Sequence, residues 1–359
     1  MKRKIIPILY LLITACVDPI KYAVPASDTQ LVVDGVITDE AGPYTVRLTR
    51  TLPVDAYLQN QVEVTGAMVT IRSNAGEAEL LKEVSPGVYQ TATLQGKVGR
   101  IYSLEILVDK KTYRSDGEEM PPPGAIDNLR FEFTPYTKIE GGVQKNADRF
   151  NVFLDSKGAP GVSNYLRWRL TGTYKIETFP QLHMIGSISP TGTTVFVPDP
   201  LPCSGPPPAE CICCKCWITD YNAPTVSDDQ LISGSRFADV MIGIVPVTRR
   251  TFYDKYYIEA EQMSLTPAAF TYWKLVRAQT DGATSLFQPP LANIKSNLHC
   301  ISNPEELLRG FFMAASVTRK STFITKDDLP YRPAFIDTLT SSCLTAARTA
   351  TTIKPSFWP

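Results

Sequence analysis

Short runs in which apolar and polar residues alternate fill the first third of the chain. Tyr44, Val46 and Leu48 alternate with polar neighbours, and the stretch from Tyr102 to Val108 repeats the same period of two. Gly, Asn, Asp and Pro residues separate the runs, as they do at turns between antiparallel strands. Because strands with one apolar face bury it against a second layer, the pattern predicts a β-sandwich domain over residues 28–120.

A proline run, Met120-Pro121-Pro122-Pro123-Gly124, follows this region. Proline fixes φ and has no N–H group, so neither a helix nor a sheet is expected to continue through it. The run predicts a domain boundary, after which residues 125–359 form a larger β-rich domain with few helices. The fold class is therefore predicted to be mainly β, and the length of the chain is consistent with two domains.

The second region contains the strand pattern with the sharpest contrast. Between Tyr165 and Ile176, Leu166 and Trp168 share one face, whereas Arg167 and Arg169 share the other, so the strand is expected to be half buried. Three further strands are predicted at Thr194–Val197, Ala238–Val247 and Tyr256–Met263.

One helix is predicted to begin after Leu265. Thr266 is a suitable N-cap, Pro267 suits the first helical position, and Leu265 with Phe270 has the spacing of a hydrophobic staple. The run ends at Asp281-Gly282, and its aromatic residues at helical spacing are expected to be core.

The N-terminus is typical of an export signal. Residues 1–15 combine three basic residues, a short apolar run and the sequence Ile13-Thr14-Ala15-Cys16, which resembles the lipobox of bacterial lipoproteins. We therefore predict a lipoprotein signal peptide at 1–15, a lipid on Cys16 and a tether at 16–27. The alternatives are an ordinary secretory signal and a buried N-terminal strand.

Composition narrows the classes of partner. Removal of residues 1–15 leaves 33 basic and 36 acidic side chains, a net charge of −3. A mildly acidic chain without a Lys/Arg cluster lacks the charge that binding to a phosphate backbone requires, so nucleic acid is not expected as a partner. No apolar run after Cys16 is long enough for a membrane helix, so the lipid is the predicted membrane anchor.

Seven cysteines remain beyond Cys16, and five of them crowd into the predicted Cys-rich loop at 203–216. Thiolates bind soft metals such as Zn²⁺, but the spacing in Cys-Ile-Cys-Cys-Lys-Cys is not that of two separated cysteine pairs. An exported protein meets oxidising conditions, so disulfides are favoured over metal, and at least one is expected to tie the loop to a distant cysteine. The disulfide candidates are Cys203, Cys211, Cys213, Cys214, Cys216, Cys300 and Cys343.

The sequence contains no enzyme signature that would assign a catalytic residue. The chain has two histidines, His183 and His299, and none of the common hydrolase, zinc-protease or nucleotide-binding motifs. His299 beside Cys300 is interpreted as a loop histidine next to a disulfide cysteine, because adjacent strand residues face opposite sides. The chain also has three acidic pairs, Glu118-Glu119, Asp228-Asp229 and Asp327-Asp328. Their positions are explained better by solvated turns than by the acid/base chemistry of carbohydrate hydrolysis. We therefore predict no catalytic residues, no metal and no cofactor other than the lipid.

A series of short motifs runs nearly from end to end of the chain. They are Leu31-Val32-Val33-Asp34-Gly35, Gly66-Ala67-Met68-Val69, Gly99-Arg100-Ile101-Tyr102, Gln262-Met263-Ser264-Leu265-Thr266, Tyr272-Trp273, Ser285-Leu286-Phe287, Gly310-Phe311-Phe312, Ala315-Ser316 and Lys354-Pro355-Ser356-Phe357-Trp358. In this order they resemble the Bacteroidota outer-membrane lipoproteins catalogued as domain of unknown function 4249.

The resemblance implies an immunoglobulin-like or carboxypeptidase-regulatory-like first domain and genes often placed near TonB-dependent receptors. It supplies no catalytic residues. The expected function is a non-enzymatic accessory or binding lipoprotein that works with an outer-membrane β-barrel receptor in nutrient uptake, at the periplasmic or the cell-surface face. The alternatives are a structural or adhesive surface lipoprotein and an envelope hydrolase acting through carboxylates such as Asp228 and Asp229.

Overall fold

The computed structural model describes residues 29–52, 61–179, 184–188, 190–198, 214–230, 235–282, 294–331, 340 and 342–359. The predicted signal peptide, the tether at 16–27 and Cys16 lie outside the described residues, as do His183, Cys203, Cys211 and Cys213.

The fold is mainly β, as the alternating pattern predicts. The strands are, in chain order, β1 (Leu31–Thr38), β2 (Thr45–Thr51), β3 (Gln61–Glu63), β4 (Met68–Ser73), β5 (Ala78–Leu80), β6 (Lys82–Ser85), β7 (Val88–Gln90), β8 (Ile101–Val108), β9 (Lys111–Ser115), β10 (Glu118–Glu119), β11 (Ala125–Thr134), β12 (Thr137–Glu140), β13 (Val143–Asn146), β14 (Arg149–Lys157), β15 (Tyr165–Glu177), β16 (Met184–Ile188), β17 (Thr194–Pro198), β18 (Lys215–Tyr221), β19 (Thr225–Asp228), β20 (Arg236–Pro246), β21 (Tyr256–Ser264), β22 (Leu298–Cys300) and β23 (Arg309–Ile324). The α-helix of the described residues is α1 (Pro267–Gly282), and short 3₁₀ turns lie at Lys326–Asp328 and Cys343–Thr345.

One long sheet crosses the molecule in the order β18-β15-β21-β23-β1-β2-β7-β6, with β19 beside β15 and β3 beside β2. A second sheet has the order β22-β9-β8-β4-β5, with β10 beside β8, and a third has the order β11-β14-β20. Two hairpins, β12-β13 and β16-β17, complete the β structure of the described residues. Strands from the region predicted as a sandwich thus form two layers, whereas the immunoglobulin-like assignment stays a prediction.

The long sheet joins the N-terminal and C-terminal regions through one parallel strand pair. β1 pairs with β23 from Val32 opposite Arg309 to Thr38 opposite Ala315. Gly310 makes the close approach at this pair: its φ is +86°, and an added Cβ would lie 1.8 Å from the carbonyl oxygen of Val33. The domain boundary at residues 121–124 stays a prediction about folding units, because this sheet continues across it.

The described residues contain two large cores. The first core gathers apolar side chains from Leu31 to Met120 and is completed by Leu298, Leu308 and Phe312 from far along the chain. The second core is rich in aromatic rings, among them Phe150 and Trp168, and it contains the half-cystines Cys216 and Cys343. A smaller cluster fills the space between α1 and the long sheet.

Helix α1 begins and ends where the sequence predicts. Thr266 caps it, because its Oγ1 accepts a hydrogen bond of 3.1 Å from the Ala269 N–H. Phe270 is buried against Tyr165, with the two ring centroids 5.3 Å apart. No helix in the described ranges has the length and apolar character to cross a membrane.

Candidate functional site

A cleft opens where the proline run after β10 meets the loop before β15 and the start of α1, and we call it the junction cleft. Its volume is about 380 Å³. Its walls come from the end of β10 and the proline run, the loop before β15, and the turn from β21 into α1. The lining residues are Glu119, Pro121, Pro122, Val162, Ser163, Asn164, Tyr165, Ser264, Leu265, Thr266 and Pro267. Ligand sites often lie at such junctions, so this cleft is the first candidate for a site.

Glu119 and Ser264 are two lining residues whose side chains have no partner among the described residues. The exposed Glu119 carboxylate forms no hydrogen bond or ion pair with them. Ser264 is 4% exposed, and its buried Oγ has no hydrogen-bond partner. Buried hydroxyls are usually satisfied, so an unpartnered one in a cleft wall needs an explanation.

Glu118, the neighbour of Glu119 on β10, faces the opposite side and is 3% exposed. Its carboxylate accepts hydrogen bonds from Thr266 Oγ1 at 2.5 Å and Asn297 Nδ2 at 3.4 Å. Burial raises the pKa of Glu118 to about 7, against the lowering effect of these two hydrogen bonds. The two carboxyl groups therefore do not face one another across a cleft, as paired carboxylates in a glycosidase do.

The other acidic pairs have structural partners. Asp229 accepts hydrogen bonds from Asn164 Nδ2 at 2.8 Å and from Ser235 Oγ at 2.7 Å. Partial burial raises the pKa of Asp229, but these hydrogen bonds outweigh it, and the pKa is lowered. Asp228 lies in β19 and accepts from the Gln230 N–H, and Asp328 accepts from Thr325 in an exposed 3₁₀ turn.

The cysteines of the described residues fall into two groups. Cys216 on β18 is bonded to Cys343, 127 residues away, so the Cys-rich segment is tied to one of the two distant cysteines. Cys214 is also disulfide-bonded. Cys300 was a disulfide candidate, and here the structure differs: it is a buried free thiol whose Sγ lies 3.3 Å from Ser302 Oγ. The physical reason is that its side chain points into the first core, whereas Cys216 and Cys343 lie in the second.

His299 and Cys300 point to opposite faces of β22, as expected of neighbours on a strand. The imidazole Nε2 of His299 lies 3.0 Å from Asp116 Oδ1 on the exposed face. No group of three or more His, Cys, Asp or Glu residues in the described part of the chain is arranged to hold a metal ion.

A second cleft, of about 260 Å³, lies between α1 and the strands β1 and β23. Beside it Arg167 is 6% exposed, with its guanidinium carbon 3.9 Å from the centroid of the Trp273 ring. Burial lowers the pKa of Arg167 to about 10, so it is charged at neutral pH. The sequence predicts that Arg167 lies on the polar, exposed face of its strand. This prediction is wrong, because α1 covers this end of the strand and buries the Arg167 side chain.

A hairpin formed by β12 and β13 projects from the second region. All eight of its strand residues are exposed, and Gly141 and Gly142 form its turn with φ values of +61° and +77°. Ile139 is 80% exposed and pairs with Gln144, and on the other face Lys138 and Lys145 flank Glu140. The Gly-Gly pair between Glu140 and Val143 is a hairpin signal that was not recognised in the sequence.

Comparison with known proteins identifies the family. A family model described as domain of unknown function (DUF4249) matches residues 17–321. This range includes the first core, the junction cleft, the hairpin and the second core except Ile324, Leu329 and Cys343. No curated protein matches the chain. The matched range covers most of the 359 residues, and the chain therefore belongs to the DUF4249 family.

Proposed function

We propose that this protein is a lipid-anchored binding protein of the outer membrane, which acts as a non-enzymatic accessory of a β-barrel receptor in nutrient uptake. The lipobox-like sequence that ends at Cys16 supports the anchor. The resemblance described above, with its frequent placement near TonB-dependent receptors, supports the class of partner. The mainly β body carries a surface suited to binding, the hairpin formed by β12 and β13.

The observation that carries the proposal is the hairpin formed by β12 and β13. A two-stranded hairpin is marginally stable in water unless it packs on something else. One face of this hairpin carries no charge and presents Ile139, 80% exposed, between Thr137 and Gln144. An isoleucine on the uncharged face of a projecting hairpin gains free energy when a partner covers it, which fits a contact with another protein.

The experiment places a photo-crosslinking amino acid at Ile139 and irradiates intact outer membranes. We expect crosslinks to a β-barrel receptor, identified by mass spectrometry. The matched control is the same substitution at Ile353, which is 76% exposed near the C-terminus and should give no such product. Ile139→Glu should also reduce co-purification of the receptor, because it places a charge in the contact.

Crosslinks to the same proteins from both positions, or none to a β-barrel protein from Ile139, would contradict the proposal. Crosslinks from Ile139 to a surface polymer or to another cell would instead favour a structural or adhesive role.

A further inference from the structure

We infer that the junction cleft is a binding site for a small molecule that carries a primary ammonium group on an apolar chain. The inference deepens the proposed function by naming a ligand class, and it rests on that function only for its biological setting. It is carried by the charge, the hydrogen-bonding groups and the shape of the cleft.

The charge around the cleft is negative. Glu119 is the only charged side chain among the lining residues, and it has no cationic partner in the described part of the chain. A further acid, Asp229, stands directly behind the wall, where it is bonded to Asn164, and its lowered pKa keeps it ionised. A concave site lined by one sign of charge attracts the opposite charge, because its low-dielectric walls focus the field. The cleft therefore favours a cation.

The hydrogen-bonding groups match the donors of an ammonium group. The carboxylate of Glu119 and the hydroxyl oxygens of Ser163 and Ser264 can accept hydrogen bonds, and an ammonium group has three N–H donors. The Ser264 Oγ is buried and unpartnered in the wall of the cleft, so a donor from the ligand would satisfy it once the side chain turns toward the cleft. Asn164 offers no such group to a ligand, since its side chain is bonded to Ala159, Val162 and Asp229.

The remaining walls are apolar. Pro121, Pro122, Val162, Leu265 and Pro267 face the cleft. A volume of about 380 Å³ is within the range of small-molecule sites. The three prolines have rigid rings and no N–H group, so this part of the wall offers contact area without donors. These features suit a short alkyl chain attached to the ammonium group.

The test uses three probes that share one alkyl chain: n-butylamine, n-butanol and butyrate. Each is titrated at pH 7 into the purified full-length protein in detergent, and binding is followed by ligand-observed NMR. We expect the ammonium probe to bind at least about tenfold more tightly than the alcohol, and butyrate to bind more weakly than both. Equal affinities for amine and alcohol would overturn the inference.

Variants separate the cleft from other surfaces. Glu119→Gln should weaken butylamine at least about tenfold and leave butanol unchanged, whereas the control Glu305→Gln, at an exposed carboxylate elsewhere, should change neither. Val162→Trp should block amine and alcohol by filling the cleft, and thermal unfolding of each variant reports its folding. Unchanged amine binding in Glu119→Gln or Val162→Trp would overturn the assignment. Crosslinking at Ile139 does not involve this cleft, so either proposal can fail without the other.

Discussion

The two cores of this protein are closed in different ways. The first core is built from strands close together in sequence, but Leu298, Leu308 and Phe312 complete it from nearly two hundred residues further on. The second core contains stacked and edge-on aromatic rings and the bond between Cys216 and Cys343. The first core is thus completed by noncovalent packing, which requires β23 to pair with β1. The second core also contains a covalent link.

The sheet that contains β1 is therefore not completed by N-terminal strands alone. β1 has β2 on one side and β23 on the other, so its hydrogen bonds are complete only after the C-terminal region has folded. The first region should therefore be sensitive to single changes at the β1-β23 pair. The second should be sensitive to loss of its disulfide.

The largest effect is expected for Gly310→Ala. The new Cβ would lie 1.8 Å from the Val33 carbonyl oxygen, and the φ of +86° disfavours a side chain in any case. We expect the free energy of unfolding to fall by at least about 4 kcal/mol, measured by chemical denaturation, because the strands must separate.

The control for this change is Gly99→Ala. Gly99 also has a positive φ, +79°, but nothing lies within 4 Å of an added Cβ. It should cost about 1–2 kcal/mol, the strain of the left-handed conformation alone. Equal losses for the two variants would mean that the close approach of β23 to β1 does not hold the first core.

The second core should lose about 3–4 kcal/mol in the double variant Cys216→Ala/Cys343→Ala. The bond joins residues separated by 127 positions, so its removal frees a long loop in the unfolded chain. Hydrogen exchange should show faster exchange in β18 and β15, while β1 and β2 keep their protection. A uniform loss of protection in both regions would instead mean that the two cores unfold as one unit.

Local elements were predictable where one face of the element is buried and the other is not. The helix was predicted from its cap at Thr266 to its end at Asp281-Gly282, and β21 was predicted to within one residue. The strand from Tyr165 was also confirmed, because its two faces differ sharply in the sequence. The existence of such elements follows from local periodicity and capping.

The element that joins the two cores could not be recognised in this way. β23 is buried on both faces from Phe311 to Val317, and the residues from Phe311 to Ala315 form an unbroken apolar run without alternation. Its pairing with β1 connects residues almost three hundred positions apart, and no local pattern contains that information. The same limit applies to the junction cleft: Glu119 and Ser264 were both noted in the sequence, but only the tertiary fold brings them together.

Stability between pH 4.5 and pH 8 should report the burial of Glu118 beside Thr266 and Asn297. Folding raises the pKa of Glu118 from 4.5 to about 7. Between these two pH values, the carboxyl group is therefore protonated in the folded state and ionised in the unfolded state. Stability is therefore expected to fall as the pH rises through this range. Glu118→Gln removes the buried charge and should stabilise the protein at pH 8 by up to about 3 kcal/mol, with little change at pH 4.5.

Glu119→Gln is the matched control, since Glu119 is the exposed neighbour on the same strand. It should leave the pH dependence of unfolding as it is in the unmodified protein. If Glu118→Gln were equally stabilising at pH 4.5 and pH 8, the effect would come from packing and not from ionisation of the carboxyl group.

The smallest effect is expected for Cys300→Ala, which tests whether the first core lacks a covalent link. Cys300 is 2% exposed and has a free thiol, so the change removes one buried sulfur and should cost about 1 kcal/mol. A loss of about 3–4 kcal/mol, or a Cys300 peptide linked to another cysteine in a nonreducing digest, would contradict the free thiol. The first core would then also be covalently closed, and the contrast between the two cores would be reduced to their different side chains.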